Sequence, residues 1–467
     1  AILGMVVKHH PPPHVAQKYR VPKIWKGDLE SDIGKAILNC DDNGPTVMMI
    51  VNMTIDPAAG PVAIGRLFSG TIKDGQTIHI IDTKREGRVQ SVNFFMSNIR
   101  EQVGELGAGN IPALLGLTEA RAGQTISSVK GIALFEPSKY VSEPVIQMAI
   151  EPKHPKDLPQ LVETLRKLTI EDPNLVIKID EETGETIMAG MGVLHLDVSV
   201  NLIKDAKIDI ITSEPLINYR ETILGSSEVV MAKSPNRHNK IFMRVEPLEP
   251  EIAEMCRDGT LSEMKDKKET TQILRDHGWE PDVAKKVMRF DSRGNVMING
   301  TKGVQFVDES TDSLLSGFDD LINEGGLAKE QVRNCKFTFT HFVPHEDTAH
   351  RGLSQLGPAS RRACLGAFLS AEPIILEPML AIEVRVPTDL VGNVASVLQA
   401  KRGKVLDMQQ KGASSIVIGE VPAVETFDIS EKMRGQTAGK AIWNSHFKAW
   451  TPVPKSIGAT LLQEIKN

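Results

Sequence analysis

One order of elements is written twice in this chain. Pro144–Ile150 is an apolar run of strand type, and Leu158, Leu161, Val162, Leu165 and Leu168 then recur at helical spacing. Leu175–Ile179 reads as a strand, Glu181-Glu182-Thr183-Gly184 as a turn, and Glu185–Gly190 as the returning strand. Val193–Ile203 is a second helix and Ile208–Thr212 a last strand. The order is βαββαβ, the ferredoxin-like split motif. It recurs as a strand over Met379–Val386, a helix over Leu390–Ala400, strands over Lys404–Met408 and Ser415–Val421, a helix over Ile429–Gly439 and an extended stretch over Ala441–Trp450. Two copies separated by unlike material exclude a single-core fold. They predict a modular α+β chain.

The 467 residues suit three or four domains. Aromatic residues are 4%, so the cores must rest on Val, Ile, Leu, Met and Ala, with the scattered Met residues as core filler. Residues 19–137 show short strands cut by turns, among them Val47–Val51, Val62–Gly70, Gln76–Ile81 and Arg88–Val92, with Lys73-Asp74-Gly75 as a hairpin turn. This predicts a closed β-barrel. Val47–Val51 is continuously apolar, as in a strand buried on both faces. Residues 1–18 carry His9-His10-Pro11-Pro12-Pro13-His14, which predicts an extended linker, with metal binding by the histidines as the alternative. The expected layout is therefore a linker at 1–18, a barrel at 19–137, a ferredoxin-like domain at 142–216, an elongated α+β tip domain at 217–375 and a second ferredoxin-like domain at 376–467. Within the tip domain, 259–277 and 310–323 read as helices, the first a solvated face of mixed charge, and 361–370 as another.

Charge and motifs narrow the function. Lys and Arg number 54 against 60 Asp and Glu, a net charge of −6, so any nucleic-acid contact must come from local patches. Four separated cysteines, Cys40, Cys256, Cys335 and Cys364, argue against a disulfide scaffold or zinc site. No GxxxxGK[ST] or NKxD occurs, and the DxxG strings at Asp41, Asp291 and Asp389 stand alone, so no nucleotide cofactor is expected on these residues. No apolar run reaches the ~20 residues of a membrane helix, and the opening Ala-Ile-Leu-Gly-Met is not a secretory signal.

Two segments carry candidate chemistry. Ser234-Pro235-Asn236-Arg237-His238-Asn239-Lys240 reads as a basic hairpin loop. From Lys233 to Arg244 the chain has four Lys or Arg and no acid. Such a tip suits phosphate and ribose oxygens. His345-Glu346-Asp347-Thr348-Ala349-His350-Arg351-Gly352 follows a strand and precedes a helix. Its His and Asp side chains fit either an exposed recognition tip or, less simply, a metal or acid–base site on His345, Asp347 and His350.

The strings Gln17–Asp28, Gly190-Met191-Gly192-Val193-Leu194-His195-Leu196-Asp197, Ser234–Asn239 and His345–Gly352 resemble the archaeal and eukaryotic elongation factor 2 family. The resemblance runs from about residue 3 to the C-terminus and is closer to the archaeal form. It implies a GTPase domain before Ala1, where GTP and Mg would bind. It further implies a factor that moves tRNA and mRNA through the ribosome, its tip domain entering the decoding A site. By the same resemblance His350 is the candidate for conversion to diphthamide. Ser234 to Lys240, His345, Glu346, Asp347, Arg351 and Gly352 are the residues expected to contact ribosomal RNA, tRNA or mRNA. The factor would be cytoplasmic, monomeric off the ribosome and free of membrane. The alternatives are a GTPase-independent ribosome- or RNP-binding factor and an unmodified paralogue.

Overall fold

The computed structural model describes residues 2–56, 59–97, 99–136, 144–179, 185–263 and 266–466. It divides into two compact units, residues 1–216 and 217–467.

The first unit opens with helices Ile2–His9 and Pro13–Ile24, which corrects the extended linker expected at 1–18. Three consecutive prolines do not forbid this, because they fall between helices. Pro12 is the extended N-cap and Pro13 the first helical residue, where its missing N–H has no intrahelical partner to lose. A third helix, Asp32–Asn39, also escaped the strand reading. Ser31 caps it by accepting from the Gly34 N–H. Ile33, Ala36 and Ile37, at helical spacing, were its available signal.

Behind these helices lies an eight-stranded antiparallel, barrel-like sheet built on the long pair Val47–Asp56 and Gly60–Ser69. Met48, Ile50, Leu67, Ile78, Val92, Leu114 and Ile126 share its core. Val47, on the other face, joins Val21, Trp25, Ile37, Phe68 and Phe135 in a second cluster under the helices. Alternate faces of one strand therefore serve two cores, which explains the apolar run at 47–50. Val51, expected to be buried with them, is 57% exposed and belongs to neither cluster.

The ferredoxin-like domain of this unit has strands Ile146–Pro152, Val176–Ile179, Thr186–Gly190 and Ile210–Thr212, with helices Leu158–Glu171 and Val193–Asp205. In chain order its strands pair as 2-3-1-4. The turn at 181–184 lies outside the described residues. His195, from the Gly190–Asp197 string, accepts the Met191 N–H on Nδ1 and meets Asp172 Oδ2 at 2.7 Å through Nε2, which fixes its tautomer and ties helix to turn.

In the second unit the C-terminal copy repeats that order. Pro373–Pro387, Lys404–Lys411, Ser414–Pro422 and Ile442–Pro452 pair as 2-3-1-4, with helices Val391–Ala400 and Ile429–Thr437, and a further helix Lys455–Lys466 follows. The first strand, 15 residues long, also pairs through Pro373–Leu376 with Arg220–Ile223 of the tip domain.

The tip domain is a five-stranded sheet ordered Val230–Lys233, Lys240–Pro247, Cys335–Val343, Asn295–Asn299, Val287–Asp291. Helices Val307–Glu324 and Leu353–Ser370 cover it, and Phe318, Phe337, Phe339, Phe342 and Phe368 fill the core between. Both helices extend the apolar stretches read at 310–323 and 361–370. The charged helix is shorter than 259–277, running Lys267–Asp276 from an Asp266 cap. Asp291-Ser292-Arg293-Gly294, one of the DxxG strings, is a hairpin turn in which Asp291 pairs with Arg293 at 3.0 Å.

Beside the Arg220–Ile223 strand, burial pushes the Glu330 carboxyl up to about 7, against the attraction of Arg220. The folded state thus holds its proton more tightly than the unfolded chain, whose carboxyl titrates near 4.5. Stability from this group is full at acid pH and falls as pH rises from about 4.5 to about 7. Glu330→Gln should flatten that part of the stability–pH curve, measured as urea midpoints between pH 4.5 and 8.

Candidate nucleic-acid interface

Strands Val230–Lys233 and Lys240–Pro247 form a hairpin closed by the Lys233–Lys240 pair, and residues 234–239 are its loop. Pro235 and Asn236 make the turn. Arg237 takes φ +63°, and its N–H reaches the Ser234 carbonyl at 2.8 Å. The second segment leaves the neighbouring strand Cys335–Val343 and passes through a single 3₁₀ turn, Thr348–His350, capped by Asp347, whose Oδ1 accepts the Ala349 N–H. The two strands are adjacent in register, Lys240 opposite Val343, so their loops emerge together.

Asn239 joins them. It is fully buried, and its Nδ2 donates to the His350 carbonyl at 2.7 Å while its Oδ1 accepts the His345 N–H at 2.8 Å. Asn236 Nδ2 also donates to the His350 carbonyl, at 3.1 Å, and the Asn236 N–H reaches Gln355 Oε1 at 3.0 Å. Ser234 Oγ accepts from both the backbone N–H and the side-chain amide of Asn239. Arg362 Nη2 clamps the hairpin base through the Lys233 carbonyl at 2.8 Å. One buried amide therefore satisfies polar groups on both loops, and without it the His345 N–H would lose its acceptor.

This network brings three imidazoles together. The ring centroids of His238, His345 and His350 lie 5.0, 5.1 and 4.6 Å apart, in tilted and edge-to-face arrangements. Arg237, His238 and Lys240 are exposed beside them, as are Pro235, Glu346, Asp347 and Gly352. His345, His350 and Asn236 are half-buried. The result is an exposed rim that mixes cations and imidazoles with two carboxylates, Glu346 and Asp347, on a rigid polar base, its Arg, Lys and His side chains suited to phosphate and sugar oxygens and to the faces of bases.

Not every expected contact residue is on that rim. Ser234, Asn239 and Arg351 are buried. The Arg351 guanidinium lies 3.9 Å over the Phe306 ring and pairs with Glu309 at 3.1 Å, so it anchors the loop to the start of helix Val307–Glu324. Gln355, Arg362, Phe306 and Glu309 are structural partners that sequence reasoning missed. Each acts across more than 40 residues, and no local pattern marks such a contact. Among the described residues no group of three His, Cys, Asp or Glu is arranged to hold a metal, so the metal reading of His345, Asp347 and His350 gains no support. Burial pushes the Cys256 and Cys364 thiols up to about 12, which leaves them protonated and poor nucleophiles at neutral pH. No described helix is long and apolar enough to cross a membrane.

Four family models match in order along the chain. Residues 60–127 match elongation factor Tu domain 2, residues 141–214 elongation factor G domain III, residues 258–372 elongation factor G domain IV and residues 374–461 the elongation factor G C-terminus. The chain is 73% identical over its full length to elongation factor 2 of Cenarchaeum symbiosum. The chain belongs to the elongation factor 2 family. Elongation factors 2 of Sulfurisphaera tokodaii and Metallosphaera sedula are each 46% identical to it, again across all of this chain. The chain spans 64% of the length of these curated relatives. Of the paired loops, the hairpin precedes the domain IV match, which starts at residue 258, and the His345–Gly352 loop falls inside it.

Proposed function

We propose that this chain is the ribosome-engaging part of an archaeal-type translocation factor, acting in the cytoplasm with GTP and Mg bound by a GTPase domain. In this reading the rim formed by Arg237, His238, Lys240, His345 and His350 enters the decoding A site and contacts tRNA, mRNA and ribosomal RNA. His350 is the residue converted to diphthamide. The protein acts as a monomer off the ribosome. The observation that supports this best is the convergence of the two loops through Asn239, because it gathers Arg237, Lys240 and three imidazoles at one exposed tip of a net-acidic chain. Contacts by shape and to backbone oxygens are indifferent to base sequence, as moving any codon requires. No covalent step is needed. A tip that binds the moved state better than the unmoved one favours forward motion by that difference alone.

The test is a double charge reversal, Arg237→Glu with Lys240→Glu, in the full-length factor. Ribosome affinity should fall at least tenfold at low salt, and the slope of log affinity against log salt should shrink by about two, one for each lost phosphate contact. Affinity and slope equal to the parent protein would refute the tip as the contact. The mass of the His350 peptide from the native source reads the modification in the same preparation, and an unmodified mass would favour the paralogue.

A further inference from the structure

The tip domain joins the C-terminal domain through a narrow neck. The four residues of Arg220–Ile223 pair with the start of the long strand, from Arg220 opposite Leu376 to Ile223 opposite Pro373, and the Leu224 and Gly225 N–H groups continue the ladder to the Glu372 and Ala371 carbonyls at 3.2 and 3.1 Å. Trp450 stands at this neck, on the edge strand Ile442–Pro452, opposite Pro378. Two tip-domain guanidiniums lie over its ring, Arg220 with Cζ 4.7 Å from the centroid and Arg333 at 5.6 Å. Both arginines are buried, at 8% and 4% exposure. The indole Nε1 is buried with no acceptor, so the ring is held by its faces and not by its N–H.

The two arginines are fixed to one another. The Arg333 N–H donates to the Glu221 carbonyl at 2.8 Å, and Thr222 Oγ1 donates to the Arg333 carbonyl at 2.9 Å. The Glu221 carboxylate gathers the N–H groups of Gly326, Leu327, Ala328 and Glu330. Arg220 lies on the strand that pairs into the C-terminal sheet and Arg333 on the tip-domain segment bonded to that strand, while Trp450 lies on the edge strand of the same sheet.

We propose that Trp450, gripped by Arg220 and Arg333, is the joint that sets the angle of the tip domain on the C-terminal domain. Cation–π contacts gain strength when desolvated, as these are, and two of them on one ring add a side-chain hold to an orientation otherwise set by one short strand ladder. The three side chains are positioning residues: they touch none of the tip's rim. The inference stands apart from any ribosomal role, since it concerns only the rigidity of this unit.

The test is single-molecule energy transfer between dyes on Lys302→Cys and Lys411→Cys, both exposed positions, in the full chain with Cys40→Ser; the three other cysteines are buried. The parent should give one narrow distribution. Trp450→Leu and, independently, Arg333→Gln should broaden it about twofold, while Trp450→Phe, which keeps a π face, should broaden it less. Far-ultraviolet circular dichroism confirms that each variant is folded, and Arg333→Gln serves if Trp450→Leu is not. A folded variant lacking the grip with the parent width, or a Trp450→Phe distribution as broad as that of Trp450→Leu, would overturn the proposal.

Discussion

Glu221→Gln is expected to lower the stability of the second unit by about 3–5 kcal/mol, the largest effect of any single substitution considered. Glu221 is fully buried. Its Oε2 accepts the N–H groups of Gly326 and Leu327 at 2.8 Å, and its Oε1 those of Ala328 and Glu330 at 2.7 and 3.0 Å. A carboxylate can accept all four, and charge-assisted bonds of this kind are stronger than neutral ones. An amide turns one acceptor into a donor, so two backbone donors lose their partner and face another N–H. The segment packs closely on Glu221. Gly325 sits at φ +66°, and a Cβ there would stand 2.2 Å from the Glu330 carbonyl and 2.5 Å from Glu221 Oε1. Urea unfolding followed at the second unit should show a lower midpoint with an unchanged slope. A loss below 1 kcal/mol would mean that water reaches these amides and that the buried cradle is not what fixes them.

Asn239→Ala is expected to open the paired loops without unfolding the sheet beneath them. The side chain makes one bond to each end of the His345–His350 segment and one to Ser234. Losing these leaves the His345 N–H without its Asn239 acceptor and weakens the hold on the His350 carbonyl, which Asn236 still contacts. At about 2–3 kcal/mol, the His345 amide should exchange with solvent roughly 30- to 150-fold faster, while amides of Cys335–Val343 keep their protection. The three imidazoles would then lose their spacing, and translocation by the full-length factor should fall with it. Asn239→Asp should be no milder, since a carboxylate cannot donate to the His350 carbonyl. Unchanged exchange at His345 would show that the strands alone, and not Asn239, hold the loops together.

These two residues also mark where sequence reasoning ends. The twice-written βαββαβ order was legible because strand and helix periodicity are properties of neighbours along the chain, and buried faces enforce them. The hairpin at 234–239 was legible for a similar reason: Ser-Pro-Asn is turn chemistry wherever it occurs. Composition confined any nucleic-acid contact to local patches, and four short strings pointed to the family.

Only the tertiary structure decided which residues face outward. Ser234, Asn239 and Arg351 sit in polar motifs and look like contact residues, yet they are buried because each satisfies a group more than 40 residues away, or one fixed by such a partner. The helices at 2–24 were hidden for a different reason. A proline run breaks a helix only when it falls inside one, and the boundary that made Pro13 a helix start depends on packing against Phe68 and Phe135 through Val21 and Trp25. Likewise nothing in the strings around Arg220, Arg333 or Trp450 shows that they meet, since a cation finds a ring through the fold and not through spacing. The sequence by itself determined most of the elements, the order of the domains and the family. The fold decided the burial of each polar side chain, because burial is set by partners that chain distance does not reveal.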